Sequence, residues 1–418
     1  MLLGLVSIVF SLALAIWTLL KNTGNRFIVG IGTMILFFPL ELLTVSFPGS
    51  FISKISPFAI YTFFVFSGYL TTRLYFNRKL SISLIYSTNV FYALSILGLT
   101  ILSNGYVGLG TIFDNYITPV MALYIVTNER NRITSKPSKR LLILASIAAC
   151  YGVIEFILGK NILLDSVFSQ MEWINTQWNS SFHRSTSTIG HPLIGATIYI
   201  ITLSILEKHN KRYWLYTCIL ILGVLSTGSR AGIALAAMVI LLKHMTLRIS
   251  ARDAIGLSVM FFVAFLGLIG GLFDQVISRF MNGEGSTAVR TALFDFIPGI
   301  IRDNFFGHGI GASGAYAGDI GFYNAIEIPW IALIIELGVF GLTASLLLAI
   351  ANLKYYKIWK PNIILLGSTF IMISSYNSIS VHSPIITLLV VLLFIPKQKE
   401  PIRRTKATYI DHTIKSLA

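Results

Sequence analysis

Residues 2–20 read LLGLVSIVFSLALAIWTLL, and residues 21–26 read KNTGNR. The first run carries no charge; the second places Lys21 and Arg26 directly after it. A helix of that length crosses about 30 Å of hydrocarbon at about 1.5 Å per residue. Backbone groups in lipid must be satisfied within the segment, so a run of this kind has to be a helix. The pattern of a long apolar stretch closed by a short polar cluster recurs along the whole chain. Alternating segments of about ten residues, which a membrane barrel needs, are absent. The run at residues 2–20 lacks a basic segment before it and an obvious cleavage site after it, so it is expected to be a true span and not a removed signal peptide.

Composition agrees. Hydrophobic residues make up 55% and charged residues 12% of the 418 positions, with a mean hydropathy of +0.76. A soluble domain carries about twice that charge density. The expected fold class is therefore all-α: a polytopic integral membrane protein with about 12–13 transmembrane helices, forming a single transmembrane domain over 1–418. Candidate spans cover 2–20, 27–47, 58–72, 80–102, 114–127, 141–158, 192–206, 213–228, 231–242, 254–273, 328–351, 363–380 and 384–395. The fifth and ninth are short enough to be tilted, broken or partly re-entrant. Cys150 and Cys218 both fall inside apolar runs and read as packing residues, without a disulfide framework or metal site.

The net charge of +15 is sorted by connector. All but seven of the 32 Lys and Arg residues lie in alternate connectors and in the tail; the exceptions are Lys54, Lys160, Arg184, Arg230, Arg279, Arg290 and Arg302. Positive loops stay in the cytoplasm, which puts the basic connectors and the tail 396–418 inside. Basic residues there also meet anionic headgroups, so membrane lipids absorb most of the charge and no nucleic-acid signal is left. The long loops 159–191 and 274–327 then lie outside, on the side where chemistry is expected.

Five of the seven outside cations are arginines. Arg184 lies in SFHRSTSTIGHP (181–192), just before a span. Arg230 lies in LSTGSRAG (225–232), where Ser226, Thr227, Gly228 and Ser229 make a polar surrounding between two apolar runs. The alternative for Arg230 is snorkelling to headgroup phosphates. Arg290 lies in STAVRTALFDFIPGIIRD (286–303), which reads as an amphipathic surface helix broken or kinked near Pro298-Gly299. On such a helix Arg290 could equally be a solvated charge, while Arg279 and Arg302 read first as headgroup contacts. Arginine suits a diphosphate because its planar fork makes paired, charge-assisted hydrogen bonds. The stretch GHGIGASGAYAG (307–318) has five glycines in twelve residues. It can turn backbone N–H groups toward an anion or be a flexible connector; it is not a P-loop, since Gly-Lys-Ser/Thr is missing.

Four of these stretches, in order, resemble the O-antigen polymerase and O-antigen ligase superfamily of bacterial polysaccharide assembly. They are 184–192, 225–232, Arg290 followed by Pro298 and Gly307-His-Gly-Ile-Gly, and NAIEIPWIALIIELGVFGL (324–342), which ends in Glu-x-Gly-x-x-Gly. The resemblance covers roughly residues 180–345. It implies a metal-independent membrane glycosyltransferase with a GT-C-like fold, long periplasmic loops and no cofactor. Its place would be the bacterial cytoplasmic (inner) membrane, with the active site on the periplasmic face. Its substrate would be an undecaprenyl-diphosphate-linked oligosaccharide, and a chain-length regulator protein is a further expected partner.

Carried over by position, Arg230 and Arg290 would bind the donor diphosphate, with Arg184 or Arg302 assisting and His191, His308, Gly309 and Gly311 contributing to substrate binding. The ligases of the family usually have a histidine nine residues before the Glu-x-Gly glutamate. Here Glu327 stands there, which points to the polymerase branch. A carboxylate at a membrane mouth can accept a proton from an attacking sugar hydroxyl, so Glu327 is the expected base; the alternative is a helix N-terminal charge before Pro329. His191 and His308 are reserve bases, with structural hydrogen bonding as the other reading. Trp173 and Trp178 could stack on sugars or sit in an interfacial belt. The expected activity is repeat-unit polymerisation. Ligation to lipid A–core is the alternative within the family, and a flippase is the alternative from another class. The in-span acids Glu41, Glu155 and Glu336 are few for a transport pathway.

Overall fold

The computed structural model describes residues 2–20, 23–76, 82–171, 183–207, 212–245, 292–322, 326, 328–358, 362–375 and 383–396. Among them the regular structure is helical throughout, with no strand. Five helices have the length and apolarity of membrane spans: α1 (Leu2–Leu20), α5 (Leu84–Asn104), the run Leu109–Asn128, α8 (Lys136–Leu158) and α15 (Pro329–Tyr355). Shorter apolar helices are α2 (Thr23–Phe37), α10 (Pro192–Ile205), α11 (Tyr213–Ser226) and α16 (Ile363–Ser375). The remaining helices used below are α3 (Glu41–Ser46), α4 (Pro57–Tyr75), α12 (Arg230–Met245), α13 (Ile297–Asp303), α14 (Ser313–Asp319) and α17 (Ile385–Leu393). The expected span 254–273 and the tail from 397 on lie outside the described residues.

Helices α1 and α5 bury small and polar residues and turn large apolar ones outward. On α1 the buried positions are Gly4, Ser7, Ser11, Ala15 and Thr18, while Val6, Val9 and Ile16 face outward. On α5 the buried positions are Asn89, Ala93, Ile96 and Thr100, and Phe91 and Leu102 are exposed. Small and weakly polar residues let backbones approach and hydrogen-bond across helices where lipid already satisfies the apolar faces. Thr18 and Tyr61 of α4 share a 2.9 Å bond, and Asn89 and Asn352 exchange reciprocal amide bonds of 3.0 Å between α5 and α15.

The contacts sort the helix ends into two faces. At one face Asn25 Oδ1 accepts from the Thr134 N–H at 2.9 Å, and Arg73 reaches Asn128 at 3.2 Å. Glu129 there accepts from Tyr69 at 2.8 Å and lies 3.4 Å from Arg132. At the other face Ser56 donates to Asp114 at 2.7 Å, Ser383 N to Asn115 at 3.0 Å, and Arg184 to the Thr227 carbonyl at 3.0 Å. The first set includes residues of the basic connectors 21–26, 73–79 and 128–140, and the second includes Arg184 of the loop 159–191.

Three expected spans take a different shape. The span 27–47 is interrupted: α2 stops at Phe37 and α3 starts at Glu41. Pro39 has no N–H to continue the ladder, and its ring opposes a helical turn before it. The short span 114–127 is longer than expected, because it starts at Leu109 and runs through a π-turn at Phe113–Ile117. The span 328–351 is helical but broken at Gly338, where φ is 75° and ψ is 168°.

That break is closed by the loop at 304–309. Val339 and Phe340 would have donated to the carbonyls of Ile335 and Glu336; they donate instead to Asn304 O at 3.0 Å and Phe305 O at 3.1 Å. The orphaned carbonyls receive the N–H groups of His308 at 2.8 Å and Gly309 at 2.9 Å. Two lost helix bonds are thus replaced by four bonds to one loop, as a break at membrane depth requires. Gly307 (φ 78°) meets Gly338 face to face. A Cβ on Gly338 would stand 2.3 Å from the Phe305 carbonyl oxygen, and one on Gly307 would stand 2.4 Å from Gly338 N. Gly338→Ala is expected to destabilise by about 1–3 kcal/mol from the backbone conformation alone, and more from the clash. Thermal melting of the detergent-solubilised protein should show a drop of several degrees, whereas Gly98→Ala, where a Cβ meets nothing within 4 Å, should not lower it.

Candidate functional site

The non-basic face is organised by a buried carboxylate. Glu155 lies near the end of α8 and is fully buried. It accepts from Thr186 N at 2.9 Å, Ser187 N at 2.7 Å, Thr186 Oγ1 at 2.9 Å, Ser185 Oγ at 3.2 Å and Asn161 Nδ2 at 3.1 Å. His183 Nε2 stands 3.7 Å away. An ionised carboxylate needs several donors to be retained away from water. Here the segment 183–187 is wound around it. Ser187 takes a left-handed φ of 54°, held by its own bond to Glu155 and by its hydroxyl on Ala148 O at 2.7 Å.

This cage positions Arg184. Its Nε donates to Thr227 O at 3.0 Å, and Ser185 N donates to Ser226 O at 3.0 Å. Ser226, Thr227 and Ser229 are buried; Ser229 Oγ accepts from Gly232 N at 3.1 Å and so caps the first turn of α12. Arg230, half-buried, is the first residue of that helix. The two arginine motifs, joined by a bond between residues 43 apart in sequence, are therefore one contact surface at a helix N-terminus, an arrangement with the polarity to receive an anion.

Beyond the cage the chain turns at Gly190 (φ 93°) and enters α10 through His191. A Cβ at Gly190 would stand 2.4 Å from Glu41 Oε2, so the glycine lets the Glu41 carboxylate lie against this turn. Glu41 and His191 line a common cavity of about 370 Å³, walled by Phe38, Phe58, Ile189 and Ile194. His191 Nδ1 accepts from Leu193 N at 3.2 Å. Burial and the charge of Arg184 push its imidazole down to about 4, so the ring is neutral at pH 7. With Nδ1 accepting, the proton of the neutral ring sits on Nε2.

The glycine loop has another task than the one expected of it. The N–H groups of His308 and Gly309 go to the carbonyls of the broken helix, and that of Ile310 goes to Thr100 Oγ1 at 3.0 Å. Gly309 (φ 84°) lies against the Thr100 backbone, and Gly311 (φ 87°) lies against Gly108. The glycines serve close backbone approach, and the segment is fixed instead of flexible. The His308 ring packs beside Tyr316. Glu336, fully buried, accepts from Ser313 Oγ at 2.8 Å. The helical residues 292–294 end at a turn over 295–296, and Pro298 lies in the first turn of the short helix α13 that follows, so the helical stretch is broken there. Arg302, at its end, is exposed and pairs with Asp303 at 2.8 Å, which holds the aspartate carboxyl below its usual range and the guanidinium above its own.

The structure thus brings together Arg184, Arg230 and His191, sets His308, Gly309 and Gly311 in a separate packing unit, and leaves Arg302 on the surface. Glu327, Arg290, Arg279, Trp173 and Trp178 lie outside the described residues. Two residues of the site escaped the sequence as site residues, having been read only as in-span acids. Glu41 is one, and the signal was Pro39, which ends the helix before it. Glu155 is the other, and a carboxylate inside a span facing a Ser/Thr-rich loop is the corresponding signal. No protein-family model, curated protein or solved structure matches the chain.

Glu155→Ala leaves two amide N–H groups and several hydroxyls without their acceptor and is expected to cost on the order of 3 kcal/mol. An unchanged melting temperature would show that the cage does not hold the loop. The depressed His191 pKa sets a pH dependence. The unfolded chain, at about 6.5 for histidine, takes up a proton before the folded one does. Stability therefore falls as the pH drops from about 6.5 to about 4. Denaturant titrations of His191→Gln should be flatter across that window than those of the wild type.

Proposed function

We propose that the protein is an O-antigen (repeat-unit polysaccharide) polymerase, a metal-independent membrane glycosyltransferase of the bacterial inner membrane. One undecaprenyl-diphosphate-linked chain donates its glycan, and the non-reducing end of a second lipid-linked unit accepts it at the periplasmic face. The observation that carries this reading is the contact between the 184–192 and 225–232 motifs. It sets Arg184 on the turn that Arg230 closes, beside a cavity. In transfer from a diphosphate, negative charge grows on the leaving oxygen. Fixed cations and a helix N-terminus stabilise it most in the transition state. The mouth of a span also suits a donor whose polyprenyl tail stays in lipid. Four ordered sequence stretches resembling the polymerase and ligase superfamily support the same reading, and Glu327 at the position of the ligase histidine favours the polymerase branch. Arg290 joins Arg230 on the diphosphate in this proposal.

The test is elongation of lipid-linked repeats by purified protein in proteoliposomes. Arg230→Ala and Arg290→Ala are each expected to lower the rate by about 100-fold or more. Lysine should restore little, because the paired geometry is lost. Full-length polymer from both alanine variants would overturn the diphosphate assignment. A null strain separates the branches: single-repeat lipopolysaccharide marks a polymerase, bare core a ligase.

A further inference from the structure

We propose that the cavity between α2, α3 and the start of α10 is the acceptor-sugar subsite, and that Glu41 takes the proton of the attacking hydroxyl there. The inference rests on the glycosyl-transfer reading above but assigns residues and a place which that reading leaves open. Four observations converge. The cavity, about 370 Å³, falls within the ~300–1,000 Å³ of small-molecule sites. Its walls combine two aromatic side chains, Phe38 and Phe58, with the polar groups of Glu41 and His191, and this is the mixture a sugar needs, apolar C–H faces against rings and hydroxyls against hydrogen-bonding groups. Glu41 is not at mid-depth. The break at Pro39 carries it out of the α2 ladder, to the face that holds Arg184 and Arg230.

The fourth observation is the pairing of opposite hydrogen-bonding roles. With Nδ1 taken by the Leu193 N–H, His191 can offer only an Nε2–H donor, so it orients a sugar oxygen and does not act as a base. Glu41 brings a carboxylate to the cavity wall, the group that can take up a proton there. Both are placed by the same turn: Gly190 gives the carboxylate its room, and the Glu155 cage with the Thr188 hydroxyl on Leu36 O fixes that turn to α8 and α2. In the step itself the hydroxyl oxygen bonds to the anomeric carbon of the donor as its proton passes to Glu41. The bond between the anomeric carbon and the diphosphate oxygen breaks, and its electron pair leaves with the polyprenyl diphosphate toward the arginines.

The experiment compares wild type, Glu41→Gln, Glu41→Asp and Glu41→Ala in the proteoliposome elongation assay, with undecaprenyl diphosphate binding measured on the same preparations. Glu41→Gln is expected to lower kcat by about 100-fold or more with donor KM and undecaprenyl diphosphate binding unchanged. Glu41→Asp should keep part of the rate. Added formate, small enough for the vacated space, should raise the rate of Glu41→Ala in proportion to its concentration, a response that a merely structural residue does not give. Wild-type rates in Glu41→Gln, loss of diphosphate binding along with activity, or no response to formate each overturn the assignment of Glu41 while leaving the transferase reading standing. No elongation by the wild type overturns that reading, and this inference with it.

Discussion

The non-basic face of the bundle depends on one buried carboxylate. Glu155 is fully buried, and a buried carboxylate needs hydrogen-bond donors. Four of the five donors come from a segment 30 to 32 residues further on, so satisfying Glu155 and folding the loop are the same event. Once Ser185, Thr186 and Ser187 are committed to the carboxylate, the residues on either side have little freedom. Arg184 is laid on the Ser226–Ser229 turn, and Gly190 is brought against Glu41. The geometry of the candidate site is thus inherited from a structural interaction whose own residues do not line the cavity. Substitutions in the cage should act on activity through position and through the amount of folded protein, and not through chemistry.

The opposite face solves the same problem differently. Glu129, also buried, is met by Tyr69 and by Arg73 and Arg132 from neighbouring basic connectors. Its compensation is cationic, and it ties together loops whose charge already suits the cytoplasmic headgroup region. The described donors around Glu155 are amides and hydroxyls, with the His183 ring 3.7 Å away. The bundle therefore does not direct Arg184 at its buried carboxylate. It directs it at a backbone carbonyl beside a helix N-terminus, a placement that concentrates positive potential at that helix end.

How much of this was legible in the sequence follows from the range of each signal. The helices at 2–20 and 213–226 were readable because length and apolarity are local properties. The break before Glu41 was readable in principle, since Pro39 acts within one turn, but a hydropathy run of twenty residues masks a single proline. The glycines at 307, 309 and 311 signalled an unusual backbone without saying why. An anion cradle and a close backbone crossing ask for the same residue type, and only the position of Gly338 and Thr100 in space separates them. Arg184 and Arg230 could be suspected singly from their cost near hydrocarbon, but their contact is a long-range pairing that no local pattern encodes.

Gly307 and Gly338 show what that cost looks like when it falls on the backbone instead of a side chain. A helix interrupted in the membrane exposes two carbonyls and two N–H groups, and the 304–309 loop supplies four partners in register only if both glycines are present. The motif in which they occur, Gly-x-Gly-x-Gly followed by Glu-x-Gly, is therefore a structural unit first. It anchors α15 at its break around Gly338 by four backbone bonds. Glu41 stands on an anchor of the same kind, built by the Glu155 cage.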